Sequence, residues 1–362
     1  MVIRRWCVIT AMVIAIGATA HAVDLDFLQV RGTFMGMTNV LSQGSARRGG
    51  FDYALNLDLG YDLTTEWAFY AQFQTGPGGG VLGFAGPNTV ITDVGLTFQV
   101  PDLALTLGSF DTPFGLGTEL LSNNGDGFAN PVMVNSLMYG ALGGPVGTLN
   151  TLGIKVDWKQ WGIDWTGCVN NGTGETAASG DDHLGWLVGG AMPVADTGWT
   201  VAGSYMSSDD RADAGIGGST SFAADFSGWL ADASYQSSAF VILGNVGSLR
   251  YDDHNSGTAD DVSVGMAQGT WFVTPWFFTA AQWSFWRPTD ADANGSHALL
   301  PNPGYGGFDG LAIATDQRVE RYQIGIGYLP APVVLMKAVI LKDDYQTASD
   351  VWAVLGSLNL SF

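Results

Sequence analysis

The sequence predicts an all-β chain that closes into an antiparallel, up-and-down transmembrane β-barrel of about sixteen strands. Three observations predict it. Long segments alternate apolar and polar side chains with a period of two. No run beyond the first two dozen residues is apolar and long enough for a membrane helix. The segments are joined alternately by short turns and by long polar loops. In lipid every backbone amide and carbonyl needs a partner, and only helices and closed barrels supply one. A chain that lacks apolar helices must therefore cross with strands, and the sheet must close.

Arg4 and Arg5 open the chain, Trp6–Gly17 is mostly apolar, and Ala20-His21-Ala22 has small residues spaced for cleavage. Residues 1–22 are expected to be a secretory signal peptide, leaving 23–362 as one barrel without a further domain boundary. The 51 glycines and the 46% hydrophobic content fit many turns between half-buried strands. The formal net charge of −20 leaves no basic patch to neutralise phosphates, so nucleic acid is not an expected partner. Cys7 leaves with the signal, and Cys168 then has no partner for a disulfide. It is read as a small filler on the wet face of its strand.

The first strand alternates Leu28, Val30 and Phe34 with Gln29, Arg31 and Thr33. The clearest alternation is Phe51–Leu63. Its odd positions are Phe, Tyr, Leu, Leu, Leu, Tyr and Leu, and its even positions include Asp52, Asn56, Asp58 and Asp62. Aromatic side chains at both ends of an aliphatic stretch match a strand that crosses a bilayer. Trp67–Gln74, Asp93–Val100, Leu103–Leu107, Leu152–Trp158 and Trp161–Asn170 repeat the pattern. So do Leu184–Met192, Trp199–Tyr205, Gly228–Gln236, Ala239–Gly247 and Val262–Phe272. Trp276–Trp286, Val319–Tyr328, Val333–Leu341 and Val351–Phe362 complete the set. Short turns are expected at Thr64–Glu66, Pro101-Asp102, Lys159-Gln160, Ala195–Gly198, Ser237-Ser238, Thr274-Pro275 and Leu329–Pro332. Long loops are expected between them, at Asn39–Gly50, Gly76–Asn88, Asp111–Gly147, Asn171–Asp182, Ser207–Asp225, Arg250–Asp261, Arg287–Gln317 and Lys342–Asp350. Tyr61, Trp67, Trp158, Trp161, Trp199, Trp271, Trp276 and Tyr328 gather beside the short turns as a candidate interfacial girdle.

A last strand that ends on Phe362 resembles the outer-membrane barrels of Gram-negative bacteria, in which that ending serves assembly. The resemblance implies the cell outer membrane, with short turns toward the periplasm, long loops outside, and lipid and lipopolysaccharide as neighbours. A second likeness lies at Gly108-Ser109-Phe110-Asp111-Thr112-Pro113-Phe114-Gly115. This stretch resembles a segment of porin-like barrels, phosphate-selective porins among them. There the following loop folds into the lumen. The implication here is that residues 111–147 constrict a pore, with Asp111, Glu119, Asn123, Asn124 and Asp126 at the constriction; a loop packed over the barrel mouth stays open as the alternative. The loop also holds Leu120, Leu121, Phe128, Val132, Met133, Leu137 and Met138, more apolar surface than an exposed loop carries.

Phosphate selectivity is not carried over, because a dense basic lining is missing. By parity the wet faces carry Asp58, Asp93, Asp157, Asp164 and Asp232, with Asp52 and Asp62, against Arg31, Lys155, Arg321 and Lys337. An excess of acids favours a watery lumen that attracts cations. Arg31, Arg321 and Lys337 become neighbours when the barrel closes; facing the acidic loop they would set a transverse field, and pairing with nearby wall carboxylates is the alternative.

Asp181-Asp182-His183 and Asp252-Asp253-His254 are weak candidates for a divalent ion at the loop end, where Asp209-Asp210, Asp260-Asp261 and Asp343-Asp344 add acids. The spacing of a calcium loop is missing, and solvated acidic loops are the default reading. No cofactor is expected. No enzyme is expected either, since no nucleophile elbow or phosphate-binding glycine loop occurs. The expected function is passive diffusion of small hydrophilic solutes or ions, with mild cation preference. A substrate-specific channel, the sheath of an envelope complex, and a plugged structural or adhesive barrel stay open as alternatives. Monomer and homotrimer stay open as well.

Overall fold

A computed structural model describes residues 28–75, 90–116, 150–170, 184–208, 224–253, 258–289, 318–346 and 349–361. The expected signal peptide lies outside these residues. The chain forms sixteen strands: β1 (Leu28–Gln43), β2 (Ala46–Asp62), β3 (Trp67–Thr75), β4 (Val90–Val100), β5 (Leu103–Asp111), β6 (Asn150–Gln160), β7 (Ile163–Asn170) and β8 (Gly185–Val194). They continue as β9 (Trp199–Ser208), β10 (Ala224–Gln236), β11 (Phe240–Asp253), β12 (Thr258–Thr274), β13 (Phe277–Pro288), β14 (Val319–Ala331), β15 (Val334–Tyr345) and β16 (Val351–Ser361). Every strand pairs antiparallel with its sequence neighbours, and β1 pairs with β16, so the sheet closes with no edge. Closure satisfies the backbone without an exposed strand edge.

The turns at one end follow local chemistry. Pro101-Asp102 joins β4 to β5 with Asp102 at φ 77, as a turn with proline first and positive φ second requires. Trp161-Gly162 joins β6 to β7 with both φ positive (57 and 75), the mirror-image turn whose twist matches a hairpin. Between β2 and β3 the Thr64 hydroxyl donates to Glu66 Oε2 and accepts from the Glu66 and Trp67 amides. Hydrogen bonds from Thr65 and Thr64 hold the Glu66 carboxyl below the usual carboxylate range.

The other end departs from the expected uniform set of long loops. β1 and β2 meet at Gly44-Ser45, so Asn39–Gln43 and Ala46–Gly50 are strand. β11 and β12 extend through Asp253 and from Thr258, and β15 extends to Tyr345. The reason is that a backbone ladder continues wherever partners lie opposite, whatever the polarity of the side chains. Polar sequence at a rim is compatible with strand, because both faces are wet there.

Outside, the strands carry two aromatic rows. Tyr61, Trp161, Trp199, Trp271, Trp276 and Tyr328 are exposed near the short-turn end. Trp186, Tyr205, Trp229, Tyr322 and Trp352 form a second exposed row that the sequence reading does not identify. On β14 the rows are marked by Tyr322 and Tyr328, with Ile324 and Ile326 exposed between them. Six residues span about 20 Å along a strand, comparable to the apolar band of ~25 Å on outer-membrane barrels. The expected periplasmic girdle thus has a counterpart toward the other end.

The interior differs from the expected watery wall. On β10–β16 apolar and polar side chains share it. Phe226, Leu249, Tyr251, Val262, Val264, Trp286, Val319, Leu341, Tyr345, Val351 and Leu355 are buried there. The same face carries Asp232, Asn245, Gln268, Gln282, Gln323, Lys337, Ser357 and Asn359, also buried. Both faces of β15 carry apolar residues: Met336, Ala338 and Ile340 face out, and Leu335, Val339 and Leu341 face in beside Lys337 and Asp343. Period-two reasoning assigns a wet face only when one face is wet.

Candidate functional site: the barrel interior

Register fixes which side chains share the interior face, since directly opposed residues point the same way. Arg31 lies opposite Asp58, and Asp58 opposite Gln72, whose Nε2 donates to Asp58 Oδ1 at 2.8 Å. Gln72 pairs with Asp93, whose side chain lies outside the described set. Asp157 accepts from the Thr166 hydroxyl at 2.6 Å and lies 3.4 Å from Lys155 Nζ. Lys155 pairs with the buried Cys168. Asp164, near the turn, pairs with Lys159 at 2.9 Å, both exposed. Exposed pairs of this kind contribute little, because water and salt screen them.

The opposite wall holds the strongest pair. Arg321 on β14 and Asp343 on β15 are register partners, with Nε to Oδ1 at 2.7 Å and Nη2 to Oδ2 at 2.8 Å. Both are almost fully buried. This corrects the reading of Asp343 as part of a solvated acidic loop: β15 runs on, and alternation from Lys337 brings position 343 to the interior. A signal for it existed, since Arg321 and Asp343 stand near the start and end of two strands joined by a short turn. Beside the pair, Gln323 donates to Gln282 at 2.7 Å and Gln282 to Gln268 at 2.9 Å, a buried amide ladder across β12–β14. Asp260 is a further buried interior acid that sequence reading leaves in a loop.

Asp343 thus spends its charge on Arg321, and Lys337, with its side chain buried between Leu335 and Val339, faces the same wall. Arg31, Arg321 and Lys337 do share the β14–β15–β1 side of the barrel, with β16 between β15 and β1.

The segment after β5 turns inward. Tyr70 Oη donates to the Ser109 carbonyl at 2.6 Å, and Lys155 Nζ lies 6.0 Å from the Phe110 ring centre. Phe114 is buried, and a Cβ on Gly228 of β10 would come within 3.2 Å of its ring. Since β10 is five strands from β5 in the barrel, Phe114 has crossed the interior. Glycine at 228 leaves the space that the ring occupies. Leu116 packs on the same buried cluster. Asp111 ends β5 opposite Asn150. Glu119, Asn123, Asn124 and Asp126 lie outside the described residues.

The candidate metal groups are rearranged. Asp252 and Asp253 belong to β11, and Asp252 accepts from Arg250 Nε at 2.8 Å. Asp181, Asp182, His183 and His254 lie outside the described residues. Among the described residues no three metal-ligating side chains converge.

No family model and no curated protein matches the sequence. Solved structures do. OprB of Pseudomonas putida superposes with a TM-score of 0.66 at 11% identity, covering 93% of this chain and 94% of its own. An anion-selective porin of Comamonas acidovorans gives 0.63 at 12%, covering 92% and 99%. The outer membrane channel DcaP of Acinetobacter baumannii gives 0.61 at 14%, covering 94% and 99%. At these identities the likeness is one of architecture: the chain has the closed sixteen-strand β-barrel fold of outer-membrane porins.

Proposed function

We propose that the chain is an outer-membrane porin that passes small hydrophilic solutes or ions by passive diffusion, with mild cation preference and without enzymatic activity. The observation that carries the reading is Phe114 on Gly228: the chain leaving β5 crosses a closed barrel wide enough, at sixteen strands, to hold an aqueous channel. Residues 111–147 then narrow that channel, with Asp111, Glu119, Asn123, Asn124 and Asp126 at the constriction. The signal-like residues 1–22 and the two aromatic rows support an outer-membrane location with lipid and lipopolysaccharide around it. The structural neighbours support the channel reading, and a homotrimer is an assembly consistent with them, since OmpT of Vibrio cholerae is recorded in a trimer form. Cation preference rests on the acids Asp58, Asp157, Asp164 and Asp232 and on the formal charge of −20.

A second reading has its own observation. Leu249, Val262, Leu341 and Leu355 are 0% exposed on the interior face, as in a barrel closed by packing. Planar-bilayer recording separates the two. The porin reading expects ohmic steps, and larger steps after deletion of Asn123–Val134. A barrel silent both before and after that deletion is a plugged one, and unchanged steps would remove the constriction role.

A further inference from the structure

We infer that the interior face of β9–β11 holds a binding subsite for a protonated amine that carries a neighbouring hydroxyl or carbonyl oxygen, built on Asp232, Asn245 and Ser204. Asp232 and Asn245 are opposed on β10 and β11, which places their Cβ atoms about 5 Å apart on one face. Asp232 is 5% exposed and Asn245 8% exposed. Beyond the approaching Leu116 backbone amide, neither carboxylate oxygen of Asp232 meets a donor, and neither polar atom of the Asn245 amide nor the Ser204 hydroxyl has a hydrogen-bond partner. A buried carboxylate with so few donors is costly, so a cation or water is expected to complete it. The set has mixed demands. Asp232 calls for donors, while Asn245 Nδ2 calls for an acceptor. An ammonium group with an oxygen on the adjacent carbon, three bonds from the nitrogen, meets both.

A metal ion fits less well. One carboxylate, one amide oxygen and one hydroxyl give too few oxygen ligands for calcium, and the amide N–H would be left without an acceptor. The surroundings also favour an organic cation. Leu230 and Leu243, two residues before Asp232 and Asn245, are buried beside them, and Met266 is the β12 partner of Asn245. On the other side the β9 partner of Asp232 is Ala202, whose methyl group leaves room. The backbone amide of Leu116 approaches the Asp232 carboxylate. The subsite therefore lies where the chain from β5 meets the far wall, on the path of anything that passes the narrowing. The inference rests on the porin reading for its route of access.

The test uses the detergent-refolded full barrel, its fold checked by heat-dependent gel mobility. Titration calorimetry with 2-amino-1-butanol hydrochloride is expected to show saturable binding at one site per chain. Tetraethylammonium, equal in charge but without N–H donors, is expected to bind at least about tenfold more weakly. Asp232→Asn is expected to weaken the amine by a similar factor, and Asn245→Ala to weaken it less, as a neutral hydrogen bond implies. Binding that is absent, equal for the two cations, or unchanged in Asp232→Asn overturns the subsite and leaves a wall satisfied by water. Bilayer conductance in KCl, recorded on the same preparations, reads the porin proposal separately. Conductance without amine binding sinks the subsite alone, and amine binding without conductance keeps the subsite but sinks its route.

Discussion

The Arg321–Asp343 pair shows how a charge is kept inside this barrel. Each guanidinium–carboxylate contact is direct, and Ser284 stands on the next strand as the partner of Arg321. Losing one member strands the other charge in a buried wall, which costs about 3–5 kcal/mol. Arg321→Ala is therefore expected to lower stability by that amount in urea titrations of the refolded barrel, and Asp343→Ala similarly. Arg321→Met with Asp343→Leu is expected to recover most of the loss, because volume is kept and no charge is orphaned. A double variant as unstable as the single ones would mean that the pair does more than neutralise itself. At this scale the sequence is partly legible. The parity of Arg31, Asp58, Lys155, Asp157, Asp164, Asp232, Arg321 and Lys337 follows from alternation, and the register puts them on one face. Asp343 was hidden because the acidic run Asp343-Asp344 looks like a loop, although a strand can end in it.

At the scale of elements, the chain leaving β5 is held by packing more than by charge. Phe114 is buried on Gly228, and burying a phenylalanine side chain is worth about 1.5–3 kcal/mol. Phe114→Ser is expected to free residues after 111 from the far wall. Single-channel conductance should rise and limited proteolysis within 117–149 should quicken, while the gel mobility of the folded barrel stays the same. Conductance that falls or stays constant would mean that Phe114 does not hold the narrowing. A converse test sits on β14, where a Cβ at Gly327 would run into the Phe278 ring. Gly327→Val is expected to prevent β13–β14 from packing and to lower the yield of folded barrel severalfold. Strand existence was readable from periodicity, and strand length was not. The ladders of β1–β2, β11–β12 and β15 run past the last apolar residue into polar rims, where backbone pairing continues and side chains give no signal.

For the whole molecule, closure and charge act together. The sheet joins β1 to β16, so interior charges face one enclosed space in which they sum rather than dissipate. The sequence reading foresaw that enclosure, because alternation without apolar helices leaves a closed barrel as the membrane solution. The apolar share of the interior was not legible: Leu249, Leu341 and Leu355 carried no expected role there, and the register turns them inward. What exerts a long-range field is the balance on the interior face, where the acids Asp58, Asp157, Asp164, Asp232, Asp260 and Asp343 outnumber the bases Arg31, Lys155, Lys159, Arg321 and Lys337. In a KCl gradient across a bilayer the dilute side is therefore expected to turn positive, the sign of cation preference. Screening sets the size of the effect: the Debye length falls from about 10 Å at 0.1 M to about 3 Å at 1 M, so the preference should shrink as both salt concentrations are raised at a fixed ratio. Asp58→Asn together with Asp157→Asn should reduce it at low salt, without closing the channel. A potential of the opposite sign, or one that ignores both salt and these two acids, would assign selectivity to residues of the 111–147 loop instead of the wall.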